Sequence, residues 1–228
     1  MRTFLVLMVA LFCTNAFSGA HGSGVILGRT LAYLYGAQSF DSLSSIGFTF
    51  NVKRGSLAVS RQWIWKPKSD EVTFTGIVTA PNESTVTYSR SMVSKDSSLK
   101  KIDAWFINDK YWLLFPLHLT WDTAIVLTEN KNSAMPISGK PATQLIVQYP
   151  PALGYTPEDK FILYSDQTDT IREWSYFHGS KGEKPTLSAR WLDYKSFGPL
   201  LLSLDRPFGN DAGRVWFTNV GIKTIHEP

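Results

Sequence analysis

Residues 104–122 read AWFINDKYWLLFPLHLTWD, and the arrangement of the rest of the chain follows from how this stretch is read. Three of the eight tryptophans fall in it (Trp105, Trp112 and Trp121), together with Phe106, Tyr111 and Phe115. Ile102, Trp105, Phe106, Trp112 and Leu113 recur at the spacing of one helix face. On either side the residues read as short strands joined by turns. A helix inserted into such a chain must bury its apolar stripe against a sheet. The expectation is a helix plugging one face of a curved antiparallel sheet.

Two residues conflict with an unbroken helix. Asp109 falls in the middle of the apolar stripe, where a carboxylate is costly to bury unless hydrogen-bonded. It either breaks the helix at Asn108-Asp109 and caps a second short helix over 110–115, or serves as a buried anchor, or contacts a ligand. Pro116 is expected to end the second helix, because the residue before a proline leaves the helical region.

Upstream, Phe48, Phe50 and Val52 alternate with Thr49, Asn51 and Lys53, which is strand period. Arg54-Gly55-Ser56 reads as a turn. Strand 61–66 puts Trp63 and Trp65 on one face, and strand 71–78 does the same for Val72 and Phe74. After a turn at 81–84, Val86 and Tyr88 mark a fourth strand, giving an antiparallel meander. Before the meander, Ile26, Leu27, Leu31 and Leu34 are spaced for a helix over 25–35 that Gly36 stops. A helical turn at 39–42 follows, closed by Ile46-Gly47.

Downstream, strands are expected at 124–128, 143–149, 160–165, 171–177, 186–194, 200–204 and 214–225. Residues 130–141 are polar with two prolines, a long loop able to act as a flap. The pattern amounts to about nine or ten strands with two helical insertions, no repeat and no linker. It is read as mainly β (α+β), in one domain over 21–228.

Hydrophobic residues make up 43% of the 228-residue chain and charged ones 18%, the balance of a folded globular protein. Residues 1–20 stand apart. Arg2 precedes the uncharged run FLVLMVALF at 4–12, and Ser18-Gly19-Ala20 offers a small-residue cleavage site, the pattern of a secretory signal peptide. Nothing later approaches ~18 uninterrupted apolar residues. The mature chain is therefore expected to be soluble and exported, periplasmic or secreted. Cys13 is the one cysteine, and bulky Phe12 before it argues against lipid anchoring there. Its loss with the leader removes disulfides and thiol catalysis. Net charge is +4, scattered without a clustered basic face, which excludes a nucleic-acid surface and leaves a weak peripheral attraction to anionic membranes.

Hydrolytic and metal sites should leave clusters, and none stands out. The four histidines are His21, His118, His178 and His226. Pro116 and Thr120 argue against one helix joining His118 to Asp122, so a zinc site is unsupported and His118 is expected to pack against aromatic neighbours. Glu173 beside Arg172, and Asp193 near Arg190, read as solvent-face ion pairs rather than acid–base machinery. Asn82-Glu83-Ser84 matches the glycosylation triplet, a pattern frequent by chance.

The order of elements, with a W-x-W strand at 63–65, Ile107-Asn108-Asp109-Lys110-Tyr111-Trp112-Leu113-Leu114-x-Pro116, Gly154-Tyr155-Thr156-Pro157, Ile171-Arg172-Glu173-Trp174, Trp191-x-x-Tyr194 and Phe217-Thr218-Asn219-Val220, resembles a branch of exported bacterial proteins akin to the LolA/LolB lipoprotein-carrier superfamily. The likeness spans nearly the whole mature chain. It implies a single curved antiparallel sheet forming an unclosed half-barrel. Helices would cover a hydrophobic concavity that in the carriers accepts lipid acyl chains. It transfers no set of functional residues; Arg61 matches the carriers' buried arginine by strand parity only.

The expected function is binding of a lipid or acyl chain, alone or on a lipoprotein, by a monomer without cofactor, metal or covalent chemistry. Trp63, Trp65, Phe74, Trp105, Phe106, Trp112, Phe115 and Trp121 would form the cavity wall, with Arg61 and Asp109 as polar anchors. Ordinary core packing accounts for these aromatics equally well. The alternatives are an envelope sensor, engaging a partner protein through an open sheet edge or the 130–141 flap, and a hydrolase using Asp109, His118 or Asp122.

Overall fold

The structure, a computed structural model, describes residues 17–77, 85–151, 156–179, 182–209 and 213–225. Cys13, the 82–84 triplet, Gly154-Tyr155, His226 and residues 1–16 of the expected leader lie outside them. Helix α1 (Phe17–Leu34) begins within the last residues assigned to that leader. Among the described residues no helix is long and apolar enough to cross a membrane.

A meander of strands follows α1: β1 (Leu43–Arg54), β2 (Leu57–Lys66), β3 (Glu71–Ile77) and β4 (Val86–Ser89). Alternation along β1 and β2 continues further than the clearest part of the pattern, so Ile46-Gly47 belongs to β1 instead of closing a helical turn. Helix α2 (Leu99–Trp121) comes next, then β5 (Val126–Ala134), β6 (Pro141–Gln148), β7 (Lys160–Ser165), β8 (Ile171–Phe177), β9 (Leu187–Arg190), β10 (Leu192–Phe197), β11 (Leu200–Pro207) and β12 (Gly213–Thr224).

Main-chain pairing divides these strands into a seven-stranded sheet, β10-β11-β12-β1-β2-β3-β4, and a five-stranded sheet, β5-β6-β7-β8-β9. One uninterrupted sheet was expected, and this is a correction. Its cause is a bend in the strand anticipated at 186–194. Trp191 leaves both ladders, donates its N–H to Arg172 O (2.8 Å), and turns its ring into the core, edge-on to Trp174 at 6.0 Å. Asp193 just beyond has φ 52°. Strand β11 runs antiparallel along both halves of the bend, with Asp205 opposite Leu192 and Phe208 bridging to Ala189. The bent strand thus joins the two sheets into one trough, open between β4 and β5.

Both helices lie in the trough. Helix α1 packs on β5, β6 and α2 and buries Leu27 and Leu31. Gly24 permits its close approach, since a side chain there would collide with Leu127 O. Gly36 ends it with φ 96°, and any Cβ would collide with Pro199 O, so glycine is required.

Helix α2 packs on both sheets at once. Phe106 meets Trp63 and Trp65 of β2, while Phe115 meets Phe161 of β7 and Trp174 of β8. It neither breaks at Asp109 nor stops before Pro116, which corrects both expectations. The proline bends it instead: Leu114 departs from helical geometry (φ −111°, ψ 16°), and the helix continues to Trp121. Pro116 has no N–H for Trp112 O, the acceptor one turn back. Arg206 Nη2 of β11 donates to that carbonyl at 3.1 Å.

Candidate functional site

Three buried or half-buried carboxylates fix α2 in place. Asp103 accepts from Tyr88 Oη (3.1 Å) and Arg90 Nε (2.8 Å). Asp109 has no exposed surface and accepts from Arg61 Nε (2.7 Å), Arg61 Nη2 (2.5 Å), Trp63 Nε1 (2.9 Å) and Asn108 Nδ2 (3.0 Å). Burial pushes the Asp109 pKa up and the Arg61 fork opposes it. Since all three neighbours present N–H groups, four in total, they leave no acceptor for a carboxylic proton, and the ionised form fits. Asp109 is thus a buried anchor for the helix, neither a cap nor a free ligand contact, and Arg61 is held by it through Nε and Nη2.

At the far end Asp122 accepts from Tyr111 Oη (2.9 Å), Tyr149 Oη (2.5 Å) and His118 Nδ1 (3.0 Å). His118 and Asp122 are joined across one helical turn, contrary to the expectation from Pro116 and Thr120. Burial pushes Asp122 up, but the His118, Tyr149 and Tyr111 hydrogen bonds outweigh it and hold the carboxyl below its usual range. The His118 ring stacks on Tyr111 (4.0 Å) and meets Trp121 edge-on (5.2 Å), as its aromatic surroundings suggested. Its Nε2 is buried with no hydrogen-bond partner among the described residues. Among the described residues no group of three or more His, Cys, Asp or Glu could hold a metal ion.

The expected aromatic wall divides. Trp63, Trp65, Phe74, Phe106 and Phe115 are buried, packed between α2 and the sheets. Trp105 lies on Phe74, beneath Lys101 and Arg61, and Trp121 lies on Phe40. Lys110 sits under Trp65 and Phe106, where burial brings its amine down to about 8. The side of the helix that faces β2 and β3 is filled.

On its other side α2 leaves a groove of about 400 Å³ against the five-stranded sheet. Ala104, Ile107, Asn108, Tyr111 and Trp112 face Phe161, Trp174, Tyr176 and Leu187, with Arg54, Thr156 and Thr186 at the rim. Trp174 stacks on Phe161 (5.5 Å, 20°) and receives Trp112 edge-on (4.8 Å), making a continuous aromatic floor. Tyr176 Oη donates to buried Asp159 (2.9 Å), which also accepts Gly179 N–H (2.8 Å), so the hydroxyl is turned away and the ring face is presented.

An open antiparallel trough with two helices inside it can be compared with known proteins. No protein-family model matches the sequence, and no curated protein matches it. Among solved structures, the chain is similar to a DUF1329 family protein from Desulfovibrio piger, with TM-score 0.51 and 10% identity, over 92% of this chain and 95% of that one. It is similar also to a domain described as an outer membrane lipoprotein-sorting protein domain from Vibrio parahaemolyticus, with TM-score 0.50 and 10% identity, over 91% of this chain and 95% of that one. The fold is LolA-like. At such identity the likeness establishes architecture and carries no residue across.

Of the eight aromatics expected to line a cavity, only Trp112 borders this groove, and neither Arg61 nor Asp109 does. Ile107, Tyr111, Phe161, Trp174 and Tyr176, which the sequence reading did not assign to a cavity, border it as well. The placement of Trp174 and Tyr176 on one face of β8 was the available signal, but strand parity does not say which face is the inner one.

Glu173 of the same strand is also misplaced by sequence reading. It is buried, not solvent-paired with Arg172, and accepts the N–H groups of Ile137 (2.7 Å) and Ser138 (3.0 Å). The anticipated flap at 130–141 is instead the end of β5, the start of β6 and a pinned turn over 135–140 between them. Arg172 pairs instead with Asp166 (2.6 Å), and Asp193 with Lys195 (3.1 Å).

Proposed function

We propose that this chain is an exported, non-enzymatic binding protein of the cell envelope that holds an acyl chain of a lipid or lipoprotein between α2 and the five-stranded sheet. One observation carries the reading: a groove of about 400 Å³ lies open between α2 and the five-stranded sheet, floored by Trp112, Phe161 and Trp174. That volume is within the ~300–1,000 Å³ of small-molecule sites, and the aromatic floor, with polar groups from Arg54, Asn108, Thr156 and Thr186 around it, suits a chain held by burial of its methylenes. Ligand contacts are assigned to Ile107, Tyr111, Trp112, Phe161, Trp174 and Tyr176. Trp63, Phe74, Phe106 and Phe115 support the wall from behind.

Lipid extraction of protein purified from its native envelope, followed by mass spectrometry, tests the reading. Wild type is expected to carry acyl lipid, and Ala104→Trp, which fills the groove from an exposed helix position, is expected to come out empty. Wild-type protein that is reproducibly lipid-free would contradict it.

Transient contact with a membrane surface fits the same role. Helix α1 exposes Val25, Ile26, Tyr33 and Leu34 on its outer side, with Arg29 among them, the composition of an interfacial helix. Sedimentation with anionic vesicles is expected to fall several-fold on Ile26→Glu/Leu34→Glu. Unchanged sedimentation would remove α1 from the contact.

A further inference from the structure

The groove has a neighbour. A second cavity of about 340 Å³ adjoins it, bounded by Pro136 and Ile137 of the pinned turn and by Ser188, Phe208 and Gly209. Arg54, Thr186 and Leu187 line both cavities, and they form the shared wall. Arg54 is the single charged residue bordering either space among the described residues.

Arg54 is the last residue of β1, opposite Gly213 of β12 and Leu57 of β2, so paired main chain on both sides sets its position. Its guanidinium makes no ion pair or hydrogen bond among the described residues, whereas Arg61 in the next strand is held by Asp109. Thr186 Oγ1 accepts the His178 N–H (3.0 Å), which leaves the hydroxyl proton free to be donated. Among the described residues the junction therefore offers donors from Arg54 and Thr186 and no carboxylate. An aromatic-floored chamber leads to it on one side and a chamber rich in polar groups on the other.

Building on the acyl-chain reading, we propose that the ligand is a single-chain amphiphile with an anionic head. Its tail occupies the groove, and its carboxylate or phosphate sits at the junction against Arg54 and Thr186. A methylene takes about the room of a water molecule, ~30 Å³, so the groove volume of about 400 Å³ accommodates one chain of roughly a dozen carbons and not two. The arginine fork recognises either head chemistry through charge-assisted hydrogen bonds.

Calorimetric titration of the delipidated full chain with dodecanoate, dodecyl phosphate and dodecanol separates the claims. Wild type is expected to bind both anions about tenfold more tightly than the alcohol, with the margin shrinking as salt is raised. Which anion binds more tightly distinguishes a free carboxylate head from a phosphate one. Arg54→Gln, at an exposed position, is expected to keep the melting temperature and to bind all three at the alcohol's affinity. If Arg54→Gln retains the preference for anions, or wild type shows none, the junction is not the head-group site, although the groove still binds chains. If wild type binds none of the three, the acyl-chain reading itself fails.

Discussion

Asp109 is completely buried, and four N–H groups converge on it, two of them from Arg61. Removing one partner of such a pair strands the other charge in the core, a cost of about 3–5 kcal/mol. Arg61→Met is therefore expected to lower stability by that amount in urea unfolding, and Arg61→Met/Asp109→Leu to recover most of it. His118 supplies a pH dependence. Burial holds its imidazole below the ordinary value, with Lys110 adding to the effect and Asp122 opposing it. On acidification the unfolded chain takes up this proton first. Stability present at neutral pH is then lost as pH falls through ~6.5 toward the lower folded value, at a slope of at most ~1.4 kcal/mol per pH unit. His118→Gln, which keeps a donor for Asp122, should flatten melting temperature between pH 7 and 5. An unchanged slope would assign the acid sensitivity to other groups.

At the level of elements, α2 depends on a replacement for the hydrogen bond that Pro116 cannot make. Arg206 has no exposed surface and, among the described residues, no acidic hydrogen-bond partner, and burial brings its pKa down to about 10, so it remains a cation at neutral pH. Its guanidinium lies 3.8 Å from the Trp191 ring and donates to Trp112 O and Ser203 O. Arg206→Met leaves both carbonyls unsatisfied, at about 1–3 kcal/mol each. Adding Pro116→Ala restores an N–H for Trp112 O, so the double variant should lose less than Arg206→Met alone in urea unfolding. Strict additivity would mean the two residues are not coupled.

This coupling also explains what was legible in the sequence. Helical spacing over 102–113 and alternation in the strands are local and could be read directly. The end of α2 was misjudged because the group that rescues Pro116 sits on β11, far along the chain. Asp109 was ambiguous for the same reason, its partners being on β2.

For the whole molecule, a mainly β trough with helices inside it was readable from the element order, because an apolar helical stretch amid amphipathic strands has few other places to go. The bend at Trp191 that splits the pairing was not, since nothing in 186–194 marks which residue leaves the ladder. The same limit applied to the groove. Aromatic content identified the helix that borders it, but the filled and open sides of α2 carry equally aromatic residues, and only packing against Trp63 and Phe74 on one side and Phe161 and Trp174 on the other separates them.

That separation gives the most direct measurement, tryptophan fluorescence during titration with a brominated fatty acid, which quenches rings it touches. Partial, saturable quenching is predicted for wild type, abolished in Trp112→Phe/Trp174→Phe and retained in Trp63→Phe. Quenching that survives the double substitution, or that disappears in Trp63→Phe, would contradict an acyl chain bound between α2 and the five-stranded sheet.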